Sequence, residues 1–303
     1  MRMSRVHIMM AVYNGEKYIR DQIDSIISQT YSDWTLYISD DKSTDGTLAI
    51  ISEYCNNFPD KIQIINSDRI GGAKKNFIYL YNNCPQAELY MFSDQDDIWL
   101  PDKIAKMVDA YDAASKENTL VYSELRVVDA ELNTLSETFI NDLHYSLKKE
   151  FMLMNNYIPG CVMMIDDKMK SSVGAIPDEC IMHDWWIAMY ATYFGNIISV
   201  NEKLHLYRQH GKNAIGAEQD QLNKAGEELA VKKLKKRKKQ NNKFLKEYKS
   251  SMKEDEIKVF NRFNRMCNKI HSIKAVGIFW YHFRTNRYAD NRIFSKIIYE
   301  KKI

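Results

Sequence analysis

Along the first hundred residues, short apolar runs alternate with segments whose apolar positions recur every three or four residues. Val6–Tyr13 (VHIMMAVY) is almost wholly apolar and stops at Asn14-Gly15, as expected of a buried parallel strand followed by a turn. Ile19, Ile23, Ile26 and Ile27 then fall at helical spacing and predict an amphipathic helix to about Gln29. The alternation repeats. Trp34–Ser39 predicts a strand, and DDKSTDGT opens a helix carrying Leu48, Ile51 and Cys55. Ile62–Ile65 predicts a third strand, and Gly71-Gly72 precedes a helix with Phe77, Leu80, Tyr81 and Cys84 on one side. Leu89–Phe92 is the fourth strand. Such a β-α-β order implies a parallel sheet wound by right-handed crossovers.

After a helix from Pro101 to about Lys116 the pattern becomes mixed. Leu120–Val128 predicts a strand, Asp129–Asn133 a turn, Cys161–Ile165 a short strand and Lys168–Val173 a helix. Ile197–Val200 and Leu204–Arg208 predict two more strands. The whole reads as one α/β domain with an antiparallel extension.

In open α/β sheets ligands bind beyond the carboxyl ends of the strands. Three polar loops converge on that edge: Tyr13-Asn14-Gly15, Asp40–Thr47 and Ser93–Asp97. The last lies in YMFSDQDDIWLPD, where Asp94, Asp96 and Asp97 crowd the end of a strand. Clustered carboxylates repel one another and suit a hard cation such as Mg²⁺ or Mn²⁺, which can hold a phosphate. The competing reading is that they cap the next helix and complement its dipole. No GxGxxG follows the first strand and no GxxxxGK[ST] occurs, which disfavours dinucleotide-binding and P-loop sites.

Composition narrows the class further. The 303 residues are 45% hydrophobic, enough for a substantial core, and the net charge of +3 does not by itself imply nucleic acid. Cys55, Cys84, Cys161, Cys180 and Cys267 are scattered, with no CxxC pair, which fits a reducing compartment. Val6–Val12 is too short for a signal-peptide core, and no apolar segment approaches the roughly 18–20 residues of a membrane span. The expectation is a cytoplasmic protein, soluble or peripheral on the inner face of the plasma membrane.

Six segments in order, AVYNGEKYI, ISDDKSTDGT, SDQDDIW, IPGC, MHDWW and YRQHGKN, give the chain a specific likeness over roughly residues 4–215. Together they resemble family 2 inverting glycosyltransferases of the GT-A fold, a nucleotide-diphospho-sugar transferase architecture. The nearest likeness is to bacterial rhamnosyltransferase-like members that build cell-wall, capsule or O-antigen polysaccharide. The resemblance implies a catalytic domain over residues 1–216 and a basic, mainly helical extension over 217–303.

It also implies roles. Ala11, Tyr13, Glu16, Asp40 and Asp41 would hold the donor's nucleotide, with Gly72 and Lys75 beside it. Asp94 would act at the ribose or through a metal-bound water, and Asp96 would ligate Mn²⁺ or Mg²⁺. Asp97 remains secondary, a candidate helix cap. His183-Asp184 matches the position of the family's catalytic acidic pair, with Asp184 as the base; the histidine is a departure that leaves its own role open. Trp185 and Trp186 are candidates to stack on a sugar, one of them more plausibly core. Gly160, in Pro159-Gly160-Cys161, would line the acceptor pocket, while Cys161 suits packing. From YRQHGKN, Arg208 would face the diphosphate, His210 would complete the metal sphere, and Gln209 and Asn213 accompany them.

Beyond Gly216 the motifs stop. Val231–Lys249 carries ten Lys/Arg against one Glu, and Phe260, Phe263, Cys267 and Ile270 recur at helical spacing before the aromatic-basic run Ile278–Tyr288. A solvated helical hairpin competes with an anionic-membrane surface, each basic residue near anionic lipid contributing about 1 kcal/mol. No RNA-binding motif supports a nucleic-acid partner. The favoured function is transfer of L-rhamnose from dTDP-β-L-rhamnose, with inversion, to a glycan hydroxyl, the glycan being a candidate for lipid linkage. UDP-galactose, UDP-glucose or UDP-N-acetylhexosamine donors remain open, as does a non-catalytic sugar-nucleotide or glycan-binding module. A nucleotidyltransferase would need a glycine-rich phosphate loop, which AVYNGEKY is not.

Overall fold

The structure, a computed structural model, describes residues 4–140, 149–210 and 214–268. Its first half alternates β1 (Val6–Val12), α1 (Ile19–Ile27), β2 (Trp34–Asp40), α2 (Thr47–Asn57), β3 (Ile62–Asn66), α3 (Ala73–Asn83) and β4 (Leu89–Ser93). β1 pairs in parallel with β2 on one side and β4 on the other, and β2 pairs in parallel with β3. Every residue of β1 and β2 is buried, because helices cover both faces of the sheet. Successive side chains of β1 point to opposite cores. Val6, Ile8, Met10 and Val12 enter one cluster with Ile19 and Ile23, while Met9 enters the other with Phe77 and Phe92.

The second half adds β5 (Ile98–Trp99), α4 (Lys103–Ala114), β6 (Thr119–Val128), β7 (Thr134–Ser136), α5 (Lys149–Met152), β8 (Met163–Asp166), α6 (Asp167–Val173), α7 (His183–Phe194) and β9 (Asn196–Arg208). The sheet order is β3-β2-β1-β4-β8-β6-β9-β5, with β7 on β6. β8 runs antiparallel to β4 and β6, as the expected antiparallel extension requires, although β6 and β9 beyond it pair in parallel. Two boundaries differ from the sequence reading. Cys161 lies in a 3-10 turn, Gly160–Val162, and the strand begins only at Met163. The two expected strands near 200 are one strand of 13 residues, β9, whose polar middle is absorbed by register slips opposite Ser123 and Glu124.

α8 (Ala214–Tyr248) and α9 (Glu254–Asn268) complete the described chain. Leu234, Phe244, Phe260 and Phe263 join the same core cluster as Trp186 and Tyr193 of α7. The Phe244 ring meets Trp186 at 5.2 Å, and Phe260 meets Tyr193 at 5.4 Å. The expected boundary near residue 216 thus falls in the first turn of a helix that packs on α7. Lys232, Lys235, Lys236, Lys239 and Lys246 are exposed on α8. Among the described residues no helix is long and apolar enough to cross a membrane. Asn213, Ile270 and the run Ile278–Tyr288 lie outside the described residues.

Candidate active site

At the carboxyl edge of β1, β2 and β4 the loops are tied to one another by side chain to backbone hydrogen bonds. Tyr13 N donates to Gln95 Oε1 at 2.8 Å, and Gln95 Nε2 donates back to Tyr13 O at 3.0 Å. Asn14, at φ 48°, donates its N–H to Ser43 Oγ and accepts from Thr44 N, both at 2.8 Å. Gly46 N donates to Glu16 Oε2 at 3.0 Å. Gln95 was not singled out by the sequence reading, although it is the middle residue of the DQD triplet. Ala11 is the last residue but one of β1 and is 8% exposed, whereas Tyr13 is 46% exposed beside it.

Asp40 is buried and accepts from both the N–H and the hydroxyl of Ser43. Asp41 accepts from Gly71 N at 2.8 Å, Gly72 N at 2.6 Å and Ile70 N. Burial pushes the Asp41 carboxyl up, but these three donors outweigh it and hold the group below the usual carboxylate range. Gly71 and Gly72 sit at φ 103° and 104°, where a side chain would be strained. Both aspartates therefore close loops first, and a base imide would be an additional donor to Asp41. Lys75 is exposed in the first turn of α3, alongside this glycine turn.

The acidic loop after β4 faces the start of α7. Asp96 Oδ2 lies 2.8 Å from His210 Nε2, and both side chains reach solvent, at 16% and 14% exposure. The His210 ring stacks on Tyr18 at 4.8 Å. Burial raises the Asp94 carboxyl to about 7, with the charges of Asp96 and then Asp184 adding to the rise. Burial likewise raises Asp184 to about 6, against the opposing pull of hydrogen bonds. Its Oδ2 accepts from Gly160 N at 3.0 Å and its Oδ1 from Trp185 N at 2.6 Å. The Asn156 side chain, absent from the sequence reading, acts on this carboxyl in the same lowering direction. Two carboxylates of one loop and a third from the first turn of α7 thus lie close enough for the charges of Asp96 and Asp184 to act on Asp94.

The donor chemistry of this cluster fits Mn²⁺ or Mg²⁺. Asp96 and His210 present oxygen and imidazole nitrogen side by side, and Asp94 is raised by burial and then by the charges of Asp96 and Asp184, a repulsion that a cation would relieve. Among the described residues, the group of three ligand-type side chains meeting within 4.8 Å is Asp97, Cys161 and His205, all buried. That group is closed by its own contacts, since His205 Nε2 is 2.8 Å from Asp97 Oδ2.

Several expected residues take other roles. Asp97 does not cap α4; it accepts from Arg208 N and meets His205, because its side chain turns inward beneath the loop. Arg208, expected at the diphosphate, is buried behind the loop. Its guanidinium donates to Asp96 O at 2.9 Å, Ala130 O at 3.0 Å and Asp21 Oδ2 at 2.8 Å, and lies 4.6 Å from the Tyr18 ring centroid. Gln209 N donates to Val128 O. Trp186 is fully buried among Phe244 and Tyr248 and offers no face to a sugar. Trp185 is 7% exposed and its Nε1 donates to Met152 O at 2.8 Å. Cys161 is buried, consistent with packing. His183 is 2% exposed, between Phe77 at 4.3 Å and Phe92 at 4.7 Å, with neither ring nitrogen hydrogen-bonded. Burial pulls it down to about 3, so it is a neutral packing ring beneath Asp184. A Cβ on Gly160 would stand 2.9 Å from its Nε2, which is why the chain is bare there.

Comparison with known proteins bears on family and fold. The chain is 35% identical over 225 residues to the dTDP-rhamnosyl transferase RfbG of Shigella flexneri, covering 69% of this chain and 74% of that one. An uncharacterized glycosyltransferase of Rickettsia typhi is 26% identical over 212 residues, covering 66% and 64%. Among solved structures, a Pyrobaculum calidifontis mannosyltransferase in complex with GDP-Man and Mn²⁺ matches at TM-score 0.59 and 13% identity, over 98% of this chain and 86% of that one. Staphylococcus aureus TarS 1–349 in complex with UDP-GlcNAc matches at TM-score 0.55 and 14% identity, over 95% and 82%. These two show the GT-A-like fold, a mixed sheet flanked by helices. The sequence profile described as glycosyl transferase family 2 matches residues 7–171, more than half of the chain, and the chain belongs to that family of glycosyltransferases.

Proposed function

We propose that the chain transfers L-rhamnose from dTDP-β-L-rhamnose, with inversion, to a hydroxyl of a bacterial surface glycan. The observation that carries the reading is the grouping of Asp94 with Asp96 and Asp184, with Asp184 raised to about 6 by burial and held by the Gly160 N–H. Asp184 accepts the acceptor hydroxyl's proton as that oxygen forms the new bond to the anomeric carbon. The bond from that carbon to the diphosphate oxygen breaks on the opposite face, and the nucleoside diphosphate leaves with the electron pair. Asp96 and His210 would hold the divalent cation, with Asp94 near Asp96, and the cation would supply the positive charge that neutralises the departing diphosphate. Tyr13, Glu16, Asp40, Asp41, Gly72 and Lys75 frame the nucleotide's side. Gly160 and Trp185 border the acceptor.

The sugar and nucleotide are supported by the 35% likeness to a dTDP-rhamnosyl transferase. UDP-linked hexoses are the second reading, favoured by the fold shared with TarS bound to UDP-GlcNAc. A donor screen that measures nucleoside diphosphate release, with and without EDTA, separates them. Release from dTDP-rhamnose that EDTA stops and Mn²⁺ restores is the expected result; turnover of UDP-hexoses alone would move the donor assignment. Transfer unaffected by chelation and by Asp96→Ala would remove the cation from the reading. The exposed lysines of α8 support contact with an anionic membrane surface carrying a lipid-linked acceptor.

A further inference from the structure

A line of buried polar side chains runs behind the acidic loop. Lys103, the first residue of α4, is fully buried, with Nζ 3.9 Å from the centroid of the Trp99 ring. Its Nζ donates to Cys161 O at 2.5 Å and reaches His205 Nδ1 at 3.0 Å. His205 is also fully buried, paired with Trp99 across the β5–β9 ladder, and its Nε2 lies 2.8 Å from Asp97 Oδ2. The other oxygen of Asp97 accepts from Arg208 N at 2.8 Å. Arg208 Nε in turn donates to Asp96 O, and two residues further along His210 meets Asp96 Oδ2. The two candidate cation ligands therefore stand on a frame whose buried end is Lys103.

Fold stability does not account for this frame. Taking an ammonium, an imidazole and a carboxylate out of water is costly, and replacing buried ionic groups by apolar side chains of similar volume is often neutral or stabilising. What apolar filling cannot supply is direction. Asp97 has one oxygen fixed by the Arg208 backbone and the other by the His205 side chain, both on β9, so the peptide joining Asp96 to Asp97 has little freedom. The links survive either proton arrangement: ammonium, imidazole and carboxylate, or amine, imidazole and carboxylic acid, with the imidazole tautomer exchanged between them.

We propose that Lys103 and His205 are positioning residues that orient Asp96 toward His210 for cation binding, acting through Asp97 and the Arg208 backbone. This rests on the reading of Asp96 and His210 as ligands. Outer partners of this kind orient ligands, and losing one typically lowers metal affinity about 10–100-fold.

The test is Mn²⁺ binding by the full chain, followed by electron paramagnetic resonance of free Mn²⁺, with melting curves to confirm folding. Lys103→Met and His205→Leu should each weaken Mn²⁺ binding about 10–100-fold. The KM for Mn²⁺ should rise by a similar factor, while kcat at saturating Mn²⁺ falls much less. His205→Gln, whose amide can donate to Asp97 and accept from Lys103, should recover most of the affinity. His205→Asn, too short to reach both neighbours, should not, and this pair decides the matter if the leucine variant does not fold. Unchanged Mn²⁺ affinity in the folded His205→Leu or Lys103→Met protein overturns the proposal, as does a glutamine variant no better than asparagine. Asp96→Ala is the control: if it leaves Mn²⁺ binding intact, the ligand reading itself fails. If it abolishes binding while the Lys103 and His205 variants do not, only the positioning role fails.

Discussion

On the proposed nucleotide side of the site, Tyr13, Asn14, Glu16 and Asp41 are each tied to a neighbouring loop by hydrogen bonds. On the proposed acceptor side, Asp184 stands on α7, where Trp185, Trp186, Ile187, Ala188 and Met189 are all buried. The first wall can adjust one hydrogen bond at a time, each contributing roughly 0.5–1.5 kcal/mol. The second moves only with the core. The difference suits the chemistry, since a donor must enter and its diphosphate must leave, whereas the base must stay within reach of one hydroxyl.

The largest expected effect lies on the rigid wall. Asp184→Asn should lower kcat about 10²–10⁴-fold, the usual contribution of a positioned general base. The working form is the carboxylate, raised by burial to about 6, so activity should climb as pH rises through about 6 and then level off. A carboxyl whose folded pKa lies above its unfolded one costs stability once it is ionised and costs nothing below the ordinary carboxylate range. The asparagine variant should escape that cost at pH 7.5 but lose one of the two N–H bonds the carboxylate accepts, so its melting temperature should stay close to the parent's. Full transfer activity in that variant would remove Asp184 as the base.

Next, Trp186→Ala should cost about 3–5 kcal/mol in urea unfolding, as for other large aromatics deleted from a core. Gly160→Ala places a methyl 2.9 Å from His183 Nε2 and 3.4 Å from Asp184 Cβ, and should cost about 1–3 kcal/mol by overpacking. Its kcat should fall more than its donor KM rises; the reverse split would put Gly160 on the donor's side. Smallest is Gln95→Ala, which removes both bonds to Tyr13 for about 1 kcal/mol and should raise donor KM with kcat nearly kept. Equal stability losses for Trp186→Ala and Gln95→Ala would erase the contrast between the walls.

The first half of the fold was legible because parallel strands covered on both faces read as unbroken apolar runs. Val6–Val12 is followed by Asn14-Gly15, and Trp34–Asp40 by a polar loop, so the strand ends are punctuated. The second half hid its turns. Cys161 and Val162 are as apolar as the strand after them, so nothing in the letters separates the 3-10 turn from β8. β5, at two residues, is too short to show a period. In the site, the carboxylates could be named but their partners could not. An arginine aimed at a phosphate and one clamping the Asp96 carbonyl are the same residue type, and only the path of β9 places Arg208 behind the loop. Lys103 and His205 carried no signal, since polar residues near a helix start and along a strand ordinarily face water.

The seating of α8 and α9 against α7 bears on how the protein can be divided. Ile181 N donates to Gln240 Oε1 at 2.7 Å, and Asn241 Nδ2 donates to Leu153 O at 2.9 Å, one contact just before α7 and one beside it. A chain cut after residue 216 would leave Trp186 and Tyr193 facing water and those two backbone groups without these partners. Exchanging acceptor preference between relatives by swapping only the motif-bearing portion would meet the same difficulty. The unit that can be grafted is the sheet together with its two carboxyl-terminal helices.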